Sequence, residues 1–456
     1  MSSVEAGLAE GTSPNRLLRV LGLGFGIAVV VGGMIGTGIL RAPGPIAALL
    51  NDPVLIITVW LASGLYVLLG VNTKAELATS LPQAGGNYVY ARRAFGGYGG
   101  FVIGWADWLI WVAAASAMSV AFAEFVGELV PALAGHIGAT AVATIAAFVL
   151  LHYTGVRSGS LAQQLTSALK VLGLIAFVAA CFWFGEGAPS RGAAAAPAAA
   201  PSNWLLFLGS VLVAMQMVNE TYAGWDSAVY FAEENTNPGR NLPRAMFGGA
   251  LVVIGVYVLI NLAYLHVLPL DRFRASKLPA ADAMHAVFGG HAAQIVYLLA
   301  ALSLLAIINS AFMCAPRVLY GLGRDGMFAA QAQRVSAGGT PVVALLITGA
   351  AVVIALAFGK SFERLFLIAA FFGTSCDAAV AIALFVLRRR EPVLPRPFRA
   401  FAYPIAPLLF ALIATAVFVS FLFHDPTGSL FALAALAAAY PLYWWMRRKR
   451  RWIAQG

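Results

Sequence analysis

Apolar runs with few charges recur along this chain, at roughly 21–43, 53–73, 97–131, 138–155, 162–184, 204–231, 245–268, 290–320, 341–358, 363–387, 404–423 and 428–446. Polar segments rich in Pro, Gly or charge separate them. A hydrocarbon core needs about 20 helical residues to cross it, and each run reaches or approaches that length. The pattern predicts an all-α integral membrane protein with twelve transmembrane helices. Two of the runs are interrupted. In the first, Gly32, Gly33, Gly36 and Gly38 crowd into Val30–Leu40, where each glycine costs about 1 kcal/mol relative to alanine in a helix interior. A helix broken at membrane depth must satisfy its freed backbone groups. It is tolerated where those groups line a cavity, and half-helix ends there bind ions and charged substrates. Helix–helix packing also uses small residues, but spaces them four apart rather than within one turn. The sixth run breaks at Asn219–Ser227, which places Glu220, Gly224 and Asp226 in an apolar context. An acid at a helix centre in lipid costs about 2.5–3.5 kcal/mol, so both carboxylates are expected to face a wet interior.

Interrupted helices five spans apart predict a five-plus-five inverted repeat with the substrate held between the halves. The repeats would cover 21–184 and 204–388, forming a transport core over 21–388. Helices 11 and 12 (389–446) follow, with a cytoplasmic tail at 1–20 and a basic tail at 447–456. No residue-level likeness links the halves, so the expectation rests on spacing. Ala188–Pro201 is an Ala/Pro stretch that reads as an external loop.

Composition agrees with a bilayer protein: 61% hydrophobic, 11% charged, mean hydropathy +0.84. Soluble domains carry about a quarter charged residues. The net charge of +10 would suit a nucleic-acid partner, but the placement of the charges argues for topology instead. With a cytoplasmic N-terminus and twelve spans, 21 Lys and Arg residues fall in inside segments, Lys74, Arg317 and the Arg447–Arg451 cluster among them, and 7 fall outside. Lys170 is left inside a span. The split is the positive-inside pattern, and it places both termini on the cytoplasmic side of the inner (cytoplasmic) membrane. Cys181, Cys314 and Cys376 are too scattered for a disulfide framework or a metal site and read as small buried hydrophobes. The six histidines show no ligand spacing and no nucleotide loop follows a strand, so neither an enzyme nor a cofactor or metal is expected. The N-terminal residues carry no secretory cleavage motif.

Four ordered segments resemble the amino acid permeases of the amino acid–polyamine–organocation superfamily. They are Gly33-Met-Ile-Gly-Thr-Gly-Ile-Leu40; Glu76-Leu-Ala-Thr-Ser-Leu-Pro-Gln-Ala-Gly-Gly-Asn-Tyr-Val-Tyr90 with Gly104-Trp105; Tyr222-Ala-Gly-Trp-Asp226 with Glu233-Glu234 and Asn237-Pro-Gly-Arg-Asn-Leu-Pro243; and Arg317, Arg324-Asp-Gly326, Arg396-Pro-Phe-Arg399 and Tyr403-Pro404. The resemblance implies a secondary active transporter of amino acids that works by alternating access, without sodium, by proton coupling or exchange. A polyamine or other organic-cation transporter of the same superfamily is the alternative, and a channel is the alternative from another class. The oligomeric state is not legible.

The resemblance assigns substrate binding to Met34, Ile35, Gly36, Thr37 and Gly38 in the first break and to Glu220, Tyr222, Ala223, Gly224 and Trp225 in the sixth. Amides of Gly36, Thr37 and Gly38 at the positive end of a half-helix suit a carboxylate. Carbonyls of Met34, Glu220 and Ala223 suit an α-ammonium. Glu220 stands where relatives carry a bulky aromatic gate, and three readings stay open: a partner for a cationic substrate group, a proton-transfer group, or a structural partner for Lys170 or another donor. Tyr222 and Trp225 read either as substrate-facing or as packing rings. Lys170 corresponds to a fifth-helix lysine that substitutes for a bound cation beside the first break; snorkelling to the surface is the rival reading. Asp226 and Asp377 are possible cavity residues, and Asp107 and Glu124 are acids that line a pathway or pair locally. Arg317, Arg324 and Asp325 read as a gate or topology anchor.

Overall fold

The protein was analysed as a computed structural model that describes residues 16–187, 204–290, 292–359, 362–424 and 426–453. Most of the N-terminal tail, the Ala/Pro loop and the last three residues of the basic tail lie outside them. Helices make up the fold: α1 (Leu23–Met34), α2 (Gly38–Arg41), α3 (Pro43–Leu50), α4 (Pro53–Ser80), α5 (Asn87–Leu129), α6 (Ile137–Tyr153), α7 (Val156–Phe184), α8 (Trp204–Thr221), α9 (Pro238–Val267), α10 (Leu270–Ala275), α11 (Pro279–Phe288), α12 (Ala293–Arg324), α13 (Val342–Gly359), α14 (Phe362–Arg390), α15 (Ile405–His424), α16 (Pro426–Ala437) and α17 (Ala439–Ile453). No strand occurs among the described residues beyond two isolated bridges, Leu21 with Asn235 and Val335 with Pro341.

Local chemistry sets several helix ends. Asp52 caps α4 by accepting from the Leu55 amide at 2.8 Å, and Pro53 opens the helix where a missing N–H costs nothing. Asn51, in left-handed conformation (φ 51°), ends α3. Gly96 (φ 81°) kinks α5.

Nine helices among the described residues are long and apolar enough to cross a membrane, and Leu23–Met34, Leu206–Thr221 and Val342–Phe358 are shorter apolar helices. The burial pattern is inverted relative to a water-soluble protein. Leu172 is 63% exposed and Leu206 71%, while Lys74 and Lys170 are 1% and 0% exposed. Leucines outside and lysines inside are what an apolar solvent selects. The large core forms where α5 packs against α12 and α14, and α1 lies against α7 and α9.

Candidate functional site

The two breaks meet. In the first, α1 continues through Gly32 and Gly33 to Met34, and only Ile35–Thr37 leaves the helix. The expectation of a break across all four glycines is thereby narrowed. Gly32 and Gly33 remain helical because neighbours press on them: a Cβ on Gly32 would lie 1.7 Å from Gln163 Nε2, and one on Gly33 would lie 2.6 Å from Ser227 Oγ. Beyond the break, Ala42 keeps helical angles (φ −63°, ψ −30°), so α2 and α3 form one half-helix. Among the described residues, no backbone carbonyl accepts from the amides of Gly36, Thr37 or Gly38. A Cβ on Gly36 would lie 2.7 Å from Ile307 Cδ1, and one on Gly38 would lie 2.9 Å from Thr221 Cγ2.

The second break runs from Tyr222 to Asp226 between α8 and a short 3-10 turn, Ser227–Phe231. Gly224 sits at its centre with φ +93°, and a Cβ there would lie 2.6 Å from the Gly33 carbonyl oxygen. Backbone therefore touches backbone where the broken helices cross, and Gly224 is required twice over, for its dihedral angle and for its lack of bulk. Ser227 Oγ donates to the Gly224 carbonyl at 2.6 Å and pins the turn.

Lys170 does not snorkel. From the middle of α7, fully buried, its ammonium donates to the carbonyls of Gly32 and Ile35, each at 2.7 Å. These are the carbonyls that the end of α1 leaves without helical partners. A positive charge at a helix C-terminus is favourable. Tyr257 on α9, which sequence reasoning missed, makes a similar tie: its hydroxyl is 3.0 Å from the Met34 carbonyl and 3.4 Å from the Thr221 carbonyl, and so spans both breaks. The Met34 carbonyl, expected to be open to an ammonium, already accepts this bond. A tyrosine in an apolar run carries no signal of such a role.

The carboxylates are arranged differently from expectation. Lys74, expected in a cytoplasmic segment, lies within α4 and is buried, so Lys170 is not the one lysine inside a span. Its ammonium pairs with Asp226 at 2.5 Å and Asp377 at 2.7 Å, and Tyr66 donates to Asp377 at 3.4 Å. The Lys74 ammonium also stands 4.6 Å from the Trp225 ring centre. Trp225 packs on Phe410, and Tyr222 stacks on Tyr257 and meets Trp60 edge-on, so both rings make packing contacts. Glu220, in the last turn of α8, has no hydrogen bond or ion pair among the described residues, and Lys170 is not its partner.

Past the second break, Glu234 forms a buried two-pronged pair with Arg317 of α12, and Arg324 pairs with Glu233 at 2.8 Å. The Arg317 guanidinium lies 4.5 Å from the Phe231 ring centre. Arg317 is thus an interior residue of α12 rather than a helix-end anchor. Asp107 of α5 accepts from Tyr230 at 2.5 Å and from the Asn87 side chain at 2.9 Å, which fits local pairing. Glu124 instead lines a cavity of about 510 Å³ with Arg41, Phe125, Glu128, Lys277 and Tyr297. The three cysteines are buried and unpaired.

Two broken helices crossing backbone to backbone, one carrying amides without carbonyl partners and both tied by buried polar side chains, define a membrane transport protein rather than a packed structural bundle. The chain belongs to the amino acid permease family, whose sequence model matches residues 26–446. It is similar to the serine/threonine exchanger SteT of Bacillus subtilis (strain 168), at 26% identity over 446 residues that cover 96% of this chain and 99% of that protein. The large neutral amino acids transporter small subunit 2 of Mus musculus is 26% identical over 466 residues, covering 97% and 83% of the two chains. The Asc-type amino acid transporter 1 of Homo sapiens is 26% identical over 421 residues, covering 88% and 78%. The protein is a multi-pass membrane protein, and its relatives are amino acid transporters and exchangers.

Proposed function

We propose that this protein is a secondary active transporter that carries amino acids across the cytoplasmic membrane by alternating access, without sodium. The observation that carries the reading is the row of amides at Gly36, Thr37 and Gly38 that no carbonyl engages, the Gly36 amide being turned to the Tyr257 hydroxyl; the row begins a half-helix and lies against the second break. The amides meet the substrate carboxylate, and the carbonyls of Glu220 and Ala223 meet its α-ammonium, those of Ile35 and Met34 being held by Lys170 and Tyr257. Gly224 lets the second break approach, and Tyr222 and Trp225 form the walls. Lys170 supplies a tethered cation between α7 and the first break, where a free ion would otherwise be needed.

The nine long helices and three shorter apolar ones support a reading of twelve crossings, of which the first and sixth are broken. Each broken helix is followed by four apolar ones, α4 to α7 after the first and α9 and α12 to α14 after the second. That order supports the five-plus-five inverted repeat, with α15 and α16–α17 appended and both termini cytoplasmic. In that orientation the Arg317–Glu234 and Arg324–Glu233 pairs close the cytoplasmic side, and the cavity beside Arg41 lies on the outer side.

The similarity to a serine/threonine exchanger favours exchange as one transport mode. The polyamine reading loses support because Lys74 already occupies Asp226 and Asp377. The test is uptake of a panel of labelled amino acids into proteoliposomes in sodium-free buffer, with unlabelled amino acids and plain diamines as competitors. Amino acids are expected to compete and diamines are not; competition by diamines, or a strict sodium requirement, would overturn the assignment.

A further inference from the structure

Two carboxylates, Asp226 of the second break and Asp377 of α14, converge on Lys74 of α4, and a third, Glu220 at the end of α8, stands close enough to interact with Asp377 and Tyr66. Lys74 is the one cation among the described residues that pairs with any of them. If all were ionised, Lys74, Asp226, Asp377 and Glu220 would sum to a charge of about −2 inside the membrane, where like charges that share a site do not all stay ionised. Lys74 settles Asp226 and Asp377 only in part, because each of its short bonds draws on the same single charge. Glu220 has no donor among the described residues.

We propose that Glu220, acting with Asp377, is a proton-binding site loaded and emptied in each cycle, so that an amino acid moves together with a proton. The inference rests on the reading of the chain as an amino acid transporter. It places the proton away from Lys170, whose ammonium is already engaged by the Gly32 and Ile35 carbonyls.

A proton suits this cluster better than an organic cation does. The Lys74 ammonium lies against oxygens of both aspartates, and the Trp225 ring lies beside it. Space there is tight: a Cβ added at Gly70 would come within 2.6 Å of Trp225. The groups facing the site are Tyr66 and Lys74 from α4, Asp226 from the break, Asp377 and Cys376 from α14, and Tyr90 and Asp107 from α5. Of these, Asp107 is held by Tyr230 and Asn87. Tyr66 already donates to Asp377, which leaves Glu220 to take the proton. Arg41 of α2, the half-helix that also packs on α8, keeps its guanidinium over Phe125. The step is one O–H bond formed on a carboxylate oxygen of Glu220 from water on the entry side and broken to water on the exit side. Glu220 lies two residues before the break, while Asp377 lies on an unbroken helix. Movement of α8 changes the distance between them, and with it the hold on the proton.

The experiment uses purified full-length protein in proteoliposomes with an entrapped pH dye and a labelled amino acid that the unmodified protein carries. With one proton per substrate, an inward gradient of one pH unit is expected to raise accumulation about tenfold over the same vesicles without a gradient. Addition of the amino acid alone is expected to acidify the lumen. In Glu220→Gln, and separately in Asp377→Asn, the gain over each variant's own uptake without a gradient is expected to fall to none. Accumulation by the unmodified protein with no gain and no acidification would overturn the proposal, as would a tenfold gain retained by Glu220→Gln. The measurement on the unmodified protein stands even if a variant does not fold. Selective carriage of amino acids with cationic side chains, without proton movement, would overturn the proposal in favour of a substrate-cation site. Absence of any amino acid transport by the unmodified protein would overturn the functional reading itself, and this proposal with it.

Discussion

Adding one methyl group at Gly224 tests whether the crossing of the two breaks is the organising contact of this protein. Gly224→Ala faces two separate costs. The residue sits at φ +93°, a region that alanine enters at a cost of about 1–3 kcal/mol. Its Cβ would also stand 2.6 Å from the Gly33 carbonyl oxygen and 2.7 Å from the Gly33 carbonyl carbon. Backbone cannot rotate away as a side chain does, so relief requires the two broken helices to separate, with an overpacking cost of about 1–3 kcal/mol. Together the two costs amount to about 2–6 kcal/mol, enough to shift the breaks relative to each other. Gly33→Ala is the graded companion. Its Cβ meets the Ser227 hydroxyl at 2.6 Å and the Gly224 carbonyl at 3.1 Å, so part of the clash is relieved by turning Ser227, with loss of its bond to Gly224. Gly255→Ala is the control, since nothing lies within 4 Å of a Cβ there. The assays are thermal unfolding of detergent-purified protein and initial uptake rate in proteoliposomes. Gly224→Ala is expected to lose both stability and uptake, Gly33→Ala to lose less, and Gly255→Ala neither. Wild-type melting and uptake in Gly224→Ala would refute the crossing.

Two further outcomes follow from the buried polar ties. Lys170→Ala deletes two charge-assisted bonds to the first break, each worth about 1.5–3 kcal/mol; uptake is expected to collapse, and added sodium is expected to restore part of it if a free ion takes the vacated place, as counted by labelled uptake with and without sodium. Arg317→Met strands the buried Glu234 carboxylate at a cost of about 3–5 kcal/mol; a cysteine placed at Ala232 in this background is expected to react faster with a membrane-impermeant thiol reagent from the cytoplasmic side, and an unchanged labelling rate counts against the lock.

The positions of both breaks were legible because glycine and carboxylate in an apolar run contradict a continuous lipid-facing helix, and a polar interior lined by broken backbone resolves that contradiction. The extent of the first break was not. Gly32 and Gly33 weaken a helix in isolation, but in place they admit Gln163, Ser167 and Ser227 and remain helical, so tertiary contact overrides propensity. Lys74 was misplaced for a related reason. The apolar run before it ends near residue 73, so a positive charge there looks like the start of a cytoplasmic segment. Its two counter-ions lie on other helices, and no local pattern links Lys74 to Asp226 and Asp377. Arg317 was misread in the same way, because Glu234 becomes its partner only when α12 packs against the segment after the second break. Sequence shows where a charge is costly in lipid; folding decides which charge offsets it.

The two breaks are held by different chemistry, and that difference constrains how the protein moves. The first is tied by side chains to backbone carbonyls: Lys170 to Gly32 and Ile35, and Tyr257 to Met34. Those acceptors belong to the main chain, so the tie travels with α1 wherever α7 and α9 follow it. The second is tied by ion pairs, Lys74 with Asp226 and Arg317 with Glu234. A buried pair that separates in a dry interior costs about 3–5 kcal/mol, whereas an exposed pair contributes only about 0–1 kcal/mol. Opening at Arg317 and Glu234 is therefore affordable only as water enters with it, which couples separation of the pair to hydration of that side. The Lys74 cluster, packed beneath Trp225, gains no such relief from the same opening. In the proposed alternating-access cycle, the segment after the second break is accordingly expected to hinge between these pairs, held at Asp226 and released at Glu234.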